Sequence, residues 1–586
     1  MRAKGTPNRR GGRLLIPFDI DYLKKKRDSL KALKDPWLQQ YQILGKYIYA
    51  KKQNFLEQTQ EGAFLNDGMI NDSTAARANA AMASAIMGAL WKSGGKTFRI
   101  RRPKNIPDTK QNNEYYFRVN EEIAEAMESV KAGFEPAFHE EICEEGAFGT
   151  GCIALFQGDY ENPLLFRSWS IQNILINEGA DGYIDTVYYD EKITLTALVA
   201  RYGKENLPEK LQKKYDNIKQ RNDKVLLTVG IEPRPKEEQK GDGAEGMPVA
   251  SYHFLPEEKH LLKESGYSEM PARVGRWYKL ANEVLGRGPG MDALPAIMQI
   301  NALRESFLVG QEKKVEPPLW IQDDGTLGGG TVDTSARGLS VFNTVGRTPG
   351  QAPIGTIFDI GELNSCAAAI TETREEILQH FLIDRLYDLN NKTRMTLGEA
   401  EMRYQIRSDA LASVYARYTA EILNPLITRA YSILFEMGLL GVAPGDYSTA
   451  LVLEMNGITP FDIPPDVADA IAKGQKIYDI AYISPAAHVM REEEYRGIIA
   501  TVNNAIQMEG ANGDAMIALD TDRIVQYSAE LSGAPMDIIL SPDEIKVRRD
   551  ARDKAQEAAQ QAQLAEALTK SGKNIADARA KLGEGG

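Results

Sequence analysis

Two long helical stretches that enclose a glycine-rich insert constrain this chain more than any other feature. Gly286-Arg-Gly-Pro-Gly290 reads as a tight turn, with Asp292 as candidate N-cap and Pro295 in the first turn of a helix. Ile300, Leu303, Phe307 and Gly310 continue at helical spacing, and Pro317-Pro318 end the run. At ~1.5 Å per residue, a helix over 291–314 is about 36 Å long. Residues 317–361 read as short strands and glycines, including Gly328-Gly-Gly330, and a second helix is predicted over 363–386.

The rest of the 586 residues is too long for one core and implies several modules. Residues 21–60 read helical, with Trp37, Tyr41, Leu44 and Ile48 on one face. Asp72 or Ser73 is placed to cap an alanine-rich helix over 75–91; a strand over 97–101 and a helix over 113–147 follow. Between Gly151 and Leu280 the pattern turns β-rich, with predicted strands at 152–156, 164–169, 183–189, 225–231, 251–255 and 273–278 and a helical insert at 194–219. Thr396 and Glu399 form a capping box that opens a very long helix to Met437, stopped by Gly438 and kinked at Pro425. Ser541-Pro-Asp-Glu544 opens a last helix, 545–568, rich in Ala, Gln, Lys and Glu. The fold class expected is α+β, predominantly helical.

Composition excludes several functions. Hydrophobic residues at 43% and charged residues at 26% are those of an ordinary folded protein. The most apolar long run, 75–91, is interrupted by Arg77 and Asn79 and falls short of the ~20 apolar residues of a membrane span. No signal peptide is readable, and Cys143, Cys152 and Cys366 offer neither a disulfide framework nor zinc spacing, so a reducing cytoplasm is the expected place of synthesis. A formal net charge of −12 argues against DNA wrapping. The exception is the amino-terminal arm: Met1–Asp35 holds 11 Lys/Arg against 4 Asp. Within it Arg9, Arg10 and Arg13 are placed to touch nucleic acid or an acidic partner, or simply to be a solvated tail.

Catalytic signals fail on inspection. Ser93-Gly-Gly-Lys96-Thr97 resembles the end of a phosphate-binding loop, but Leu90 stands where the motif needs glycine and a strand follows where it needs a helix. His139-Glu-Glu-Ile-Cys143 lacks the second histidine of a zinc-protease helix and reads instead as a surface helix with an acidic face. Asp323-Asp324 and the Asp520/Asp522 pair lie in turn contexts with no base, nucleophile or metal partner. No catalytic residue, metal ligand or cofactor is therefore expected, and the chain reads as a non-enzyme.

Six segments in order resemble the head-to-tail connector (portal) family of short-tailed, podovirus-type bacteriophages. They are Asn71-Asp-Ser-Thr-Ala75; Glu145-Gly-Ala-Phe-Gly-Thr-Gly151; Asp181-Gly-Tyr-Ile-Asp-Thr-Val187 with Thr194-Leu-Thr and Tyr202-Gly; Gly286 through Pro295 to Asn301-Ala-Leu and Lys313-Lys-Val-Glu-Pro-Pro318; Arg394-Met-Thr-Leu-Gly-Glu399 with Asn424-Pro-Leu-Ile427; and Ser532-Gly-Ala-Pro535. Together they span roughly 20–555, and Phe98 departs from the tryptophan expected there.

The resemblance implies a dodecameric ring with wing, stem, clip and C-terminal helical crown. On that plan 1–20 is a basic arm, 21–286 the wing, 287–316 and 362–386 the stem helices, and 317–361 the clip. A tunnel loop at 387–396 precedes a kinked helix returning to the wing over 397–460, a crown over 461–569 and a tail over 570–586. The clip residues Trp320, Asp323, Asp324, Val341 and Phe342 would dock the terminase large subunit and then a tail adaptor. Asn390, Asn391, Lys392, Thr393 and Arg394 would line the channel around double-stranded DNA. Lys392 and Arg394 read equally as charges that keep an exposed turn soluble. The major capsid protein and scaffold or internal core proteins complete the expected partners, at the capsid–tail junction of the virion. A tail adaptor, a scaffold or a nucleic-acid-processing enzyme are the rival readings; paired long helices around a β insert argue against the first two.

Overall fold

The computed structural model describes residues 20–49, 55–56, 71–91, 97–237, 239, 246–322, 333–342, 354–357, 361–386, 413–482 and 497–507, with scattered positions between 519 and 570. The elements in chain order begin with α1 (Ile20–Lys34), α2 (Leu38–Tyr47), α3 (Thr74–Leu90), β1 (Phe98–Arg101), α4 (Lys110–Glu128) and α5 (Phe134–Phe148). A β-rich stretch follows: β2 (Thr150–Gln157), β3 (Leu164–Ser168), β4 (Ile174–Glu178), β5 (Ile184–Thr194), α6 (Leu195–Tyr202), α7 (Glu209–Asp216), β6 (Lys224–Pro233), β7 (Val249–Leu255), β8 (His260–Tyr267) and β9 (Ala272–Arg276). Then come α8 (Pro289–Val315), β10 (Leu319–Gln322), β11 (Leu339–Phe342), β12 (Ile354–Thr356), α9 (Asn364–His380) and α10 (Ile383–Leu386). The last are α11 (Asn424–Glu436), α12 (Tyr447–Met455), α13 (Pro465–Ala472) and β13 (Asp479–Tyr482). This is the mixed, predominantly helical class expected.

The chain divides into two units, residues 1–93 with 126–434, and residues 94–125 with 435–586. In the first, β4-β5-β6-β7-β8 form an antiparallel five-stranded sheet, and β3-β2-β9 a three-stranded one. Helix α1 lies on the larger sheet: Leu23 and Leu30 pack with Leu175, Tyr188, Ala250, Tyr252 and Phe254. Its charged face is tied down too. Arg27 donates two hydrogen bonds to Asp190, and the buried Lys34 ammonium donates to the carbonyls of Ile171, Gln172 and Ile174 at 2.5–2.8 Å. Burial pushes Lys34 down to about 7; its three carbonyl partners favour keeping the proton. In the second unit β1 pairs antiparallel with β13, and the Asn120 side chain, on α4, bonds both backbone groups of Ile100.

Several expectations need correction. The helix over 21–60 is interrupted at Asp35-Pro36, where a 3₁₀ turn separates α1 from α2, because proline cannot donate the next backbone bond. The helix over 113–147 is two, broken at Gly133. Asp292 does not cap α8: the N-cap is Gly288, Pro289 opens the helix, Asp292 lies in its first turn and Pro295 is inside it. Strands β4, β8 and β13 were not anticipated. Pro425 acts through a π-helical turn, Thr419–Leu423, within a helix running over 413–436. The predicted stop at Gly438 holds, with its φ at +78°.

Candidate functional site

The conspicuous module of the first unit is the helix pair α8/α9 with the small sheet between them in sequence. Contacts run in opposite order along the two helices. The Cys366 thiol lies 3.9 Å from the Leu303 carbonyl, Leu363 packs at Gly310, and Lys314 Nζ donates to Gly361 O at 2.8 Å. The pair is therefore antiparallel. The sheet has order β11-β10-β12, with β10 parallel to β11 and antiparallel to β12. Gly355 faces Trp320 across that ladder, and a side chain there would meet the Trp320 indole nitrogen at 2.7 Å. The half-buried Trp320 thus packs over its own chain. Arg337 forms an ion pair with Glu316 and closes the entrance to the sheet.

Burial along α8 is one-sided in sequence: every buried residue lies between Pro289 and Asn301. Beyond that point Leu308, Val309 and Val315 are exposed, as are Leu319 on β10, Leu339 on β11 and Ile354 on β12. An open groove of about 770 Å³ runs between the helices, lined by Phe307, Leu308, Val315, Leu363 and Ala367 among others.

The base of the pair is fixed by polar chemistry. Ser73 holds the N-cap position of α3 without a side-chain bond, and Asp72, one residue earlier, accepts from the Thr74 amide at 2.9 Å and satisfies the first free donor of that helix. Its other oxygen takes Arg374 of α9 at 2.6 and 3.1 Å, with Arg304 of α8 at 4.0 Å. Asn301 Oδ1 accepts from the amides of Asn71 and Asp72. Burial works against the Asp72 charge, yet hydrogen bonds from Thr74 and Arg374 outweigh it and hold the carboxyl below its ordinary value. The turn leading into α8 is equally specific. A side chain at Gly286 would meet Gly149 O at 2.2 Å, and one at Gly288 would meet Glu145 O at 2.6 Å. These glycines serve close backbone approach to the end of α5.

Of the residues singled out from sequence, Trp320 lies on β10 opposite Ser340, and Val341 lies on β11 opposite Ile321, one register step away. Phe342 belongs to β11. Asp323, Asp324, the loop Asn390, Asn391, Lys392, Thr393 and Arg394, and the arm residues Arg9, Arg10 and Arg13 lie outside the described residues. Sequence reading missed Arg374 and Asn301 as partners of Asp72; the only signal was the polar pair Asn301/Arg304 one turn apart on an otherwise mixed helix. Among the described residues no three His, Cys, Asp or Glu side chains gather as a metal site, and no helix is long and apolar enough to cross a membrane.

The sequence profile described as "Bacteriophage head to tail connecting protein" matches residues 21–540. A "Probable portal protein" of Bordetella phage BPP-1 is 25% identical over 571 residues, covering 95% of this chain and 94% of that protein. The "Portal protein" of Salmonella phage epsilon15 is 22% identical over 440 residues, covering 74% and 73%. Among solved structures, a chain of "Virion of native gene transfer agent (GTA) particle" aligns over 74% of this chain and 99% of its own, at 11% identity and a TM-score of 0.29, too loose a superposition to carry an argument. With 520 consecutive residues matched from α1 onward, the chain belongs to the bacteriophage head to tail connecting protein family.

Proposed function

We propose that the chain is a portal protein: twelve copies close into a ring at one capsid vertex, and the genome passes through it during packaging and ejection. The observation that carries this reading is the unburied second half of α8. A helix of 27 residues, about 40 Å long, leaves its last fourteen without one buried side chain while exposing Leu308, Val309 and Val315. Isolated apolar exposure is common, but a stripe continued by Leu319, Leu339 and Ile354 asks for neighbours. Side-by-side copies supply them. The α8/α9 pair then serves as stem and the small sheet as clip, where terminase large subunit docks first and tail adaptor later. Both relatives named above as portal proteins support the assignment.

The electrostatics suit a conduit. Each Lys or Arg that neutralises a phosphate releases counterions and deepens a trap, so a lining that grips DNA everywhere would stall it. A chain with a net charge of −12 avoids this. Cations confined to one loop, Lys392 and Arg394 beside Asn390, Asn391 and Thr393, steer the duplex at the constriction. Asp323, Asp324, Val341 and Phe342 belong with Trp320 to the docking end. Arg9, Arg10 and Arg13 reach for DNA or adaptor, and the major capsid protein surrounds the ring, with scaffold or internal core proteins on the capsid side.

The test is mass photometry with negative-stain imaging of the purified chain. One subunit is 65.0 kDa, so twelve weigh about 780 kDa. Rings of that mass with a central hole are expected. A monomer or dimer that persists at every concentration would overturn the reading and return a helical scaffold or a nucleic-acid-processing enzyme to consideration.

A further inference from the structure

Sheet β3-β2-β9 has a hole where it meets α5. Gly151 of β2 and Gly275 of β9 are register partners, so two side chains are missing at one place in the ladder. Two carboxyls fill the space. A side chain at Gly151 would fall 2.7 Å from Glu141 Oε1. One at Gly275 would fall 2.9 Å from both Glu141 Oε1 and Glu145 Oε2, so these two oxygens converge on a single point. Glu141 and Glu145 are one helical turn apart on α5 and are 0% and 2% exposed. Both oxygens of Glu141, and Glu145 Oε2, are buried without a hydrogen-bond partner among the described residues.

The third wall of the hole is the π turn Thr419–Leu423. Ile422 Cδ1 would lie 2.5 Å from a side chain at Gly275, so the turn occupies the same opening. Glu421 Oε2 accepts from the Arg276 amide at 3.2 Å, and the buried Tyr418 faces Glu145. The turn itself has a cause. Pro425 has no N–H to give to the Glu421 carbonyl, and just before it the helix widens to a π turn in which the Asn424 amide donates to the Thr419 carbonyl.

Other charged and titratable groups around the pair are committed elsewhere. Glu144 Oε2 accepts from the Ile171 amide at 2.7 Å and lies near Lys34. Arg276 gives its guanidinium to Glu178 Oε2 and Gly182 O and also lies 3.5 Å from Glu421 Oε1, and Arg417 lies 3.8 Å from Glu421. Cys143 and Cys152 are buried thiols beside the pair; α3 offers the amide of Asn79, and α2 the buried Tyr41. Arg167 on β3 and Asp292 on α8 are exposed. No described group of three acids is arranged as a metal site, which leaves a proton as the simplest species to relieve two carboxylates aimed at one point.

We propose that Glu141 and Glu145 share one proton in this hole, and that losing it to solvent releases the π turn Thr419–Leu423, so that the register of the helix over 413–436 responds to pH. The inference does not depend on the conduit reading. While the proton is held, the pair carries one negative charge and can bridge oxygen to oxygen. When it leaves, two charges face each other and Glu421 in a dry site, and the segment that gives way is the helix already distorted at the π turn. The electrostatics agree in direction: burial and the neighbouring Glu145 push Glu141 well above the ordinary carboxyl value, and burial pushes Glu145 up to about 8 against the pull of Tyr418 and Glu141, so a first proton leaves near that value and the shared one at more alkaline pH.

The test is hydrogen–deuterium exchange on the full chain from about pH 6 to about pH 11, corrected for intrinsic exchange, with infrared spectra of the same samples. Amides over 415–424 and 426–428 should lose protection by roughly ten-fold or more across that range in the wild type and stay protected in Glu145→Gln. A carboxylic-acid carbonyl band should be present at neutral pH and vanish at alkaline pH. Flat protection in the wild type, or the same loss in Glu145→Gln, overturns the switch. If that variant does not fold, the wild-type spectra still decide, because absence of the acid band at neutral pH overturns the shared proton.

Discussion

Helix α5 and the outer half of α8 are opposite solutions to the problem of placing a helix. In α5 eleven of fifteen residues are buried, three of them glutamates. Its neighbours are all supplied by its own chain: α3, the sheet β3-β2-β9, α2 and the first turns of α8. In α8 no described residue beyond Asn301 is buried, and among the described elements its most extensive packing is against α9. Isolated helices gain little from propensity alone and are held by packing of an apolar face. The first helix is therefore complete in one subunit, whereas the second leaves its outer half unpacked there, the half that the proposed ring would cover with other copies.

The largest effect that would break this contrast belongs to α5. Phe148 is fully buried, with ring centroids of Phe55, Tyr41 and Tyr49 at 5.1, 5.6 and 6.3 Å. Phe148→Ala should cost about 3–5 kcal/mol in urea unfolding. A cost below about 1 kcal/mol would mean that α5 is not the centre of its unit.

Glu145→Gln should show the next largest change, and of the opposite sign. A carboxyl raised above its ordinary value binds its proton more tightly folded than unfolded. Its stability contribution is complete below the ordinary carboxyl range and is lost as pH rises towards about 8. The variant should therefore melt several degrees above the wild type at alkaline pH and lack the wild-type decline over that window. Equal pH profiles would detach the buried pair from the stability of α5.

Asp72 ties helices that pack on each region, since it accepts from the first amide of α3, which packs on α5, and holds Arg374 of α9, which packs on α8. Arg374 is 38% exposed in its side chain, so the ion pair is partly screened and most of the loss in Asp72→Ala comes from the bond to the Thr74 amide, about 1–2 kcal/mol in all. The sign runs the other way from Glu145. A carboxyl held below its ordinary value stabilises above that value and loses the contribution as pH falls through the lowered one. Unfolding curves of wild type and variant should converge in strong acid and stand apart at neutral pH.

These contrasts mark where the sequence was readable. Periodicity located α3, α8, α9 and most strands of the β-rich stretch, since alternation and caps are local signals. Strand β8, His260–Tyr267, was missed because it is a half-exposed edge of mixed polarity, and β4, Ile174–Glu178, because five residues following a turn carry no alternation. The acids of α5 read as a solvated face, since Glu140, Glu141, Glu144 and Glu145 in a row look like surface. Nothing local reveals that Gly151 and Gly275, 124 residues apart and paired across a ladder, open a hole for two of them. Pro425 was legible as a disturbance, but not the form it takes, a π turn packed beside β9. In the α8/α9 module the helices were legible, while the cap of α8, Gly288 and not Asp292, and the Asp72–Arg374 bond, spanning 302 residues, were not.

The smallest effect on folding should come with the most telling effect on assembly. Leu308 is 46% exposed and Val315 80% exposed within one subunit, so the double substitution Leu308→Glu with Val315→Glu removes little packing from it. Its urea midpoint in dissociated subunits should move by no more than the ±0.5 kcal/mol usual for surface positions. A ring, however, places these side chains against a neighbour, and burying a carboxylate without a partner there costs far more than leaving it in water. Mass photometry should then show the about 780 kDa species replaced by subunits with an unchanged far-ultraviolet spectrum. If the doubly substituted chain still closes into rings of full mass, the exposed stripe of α8 is not the seam between copies, and the contrast between a self-sufficient α5 and an unfinished α8 loses its explanation.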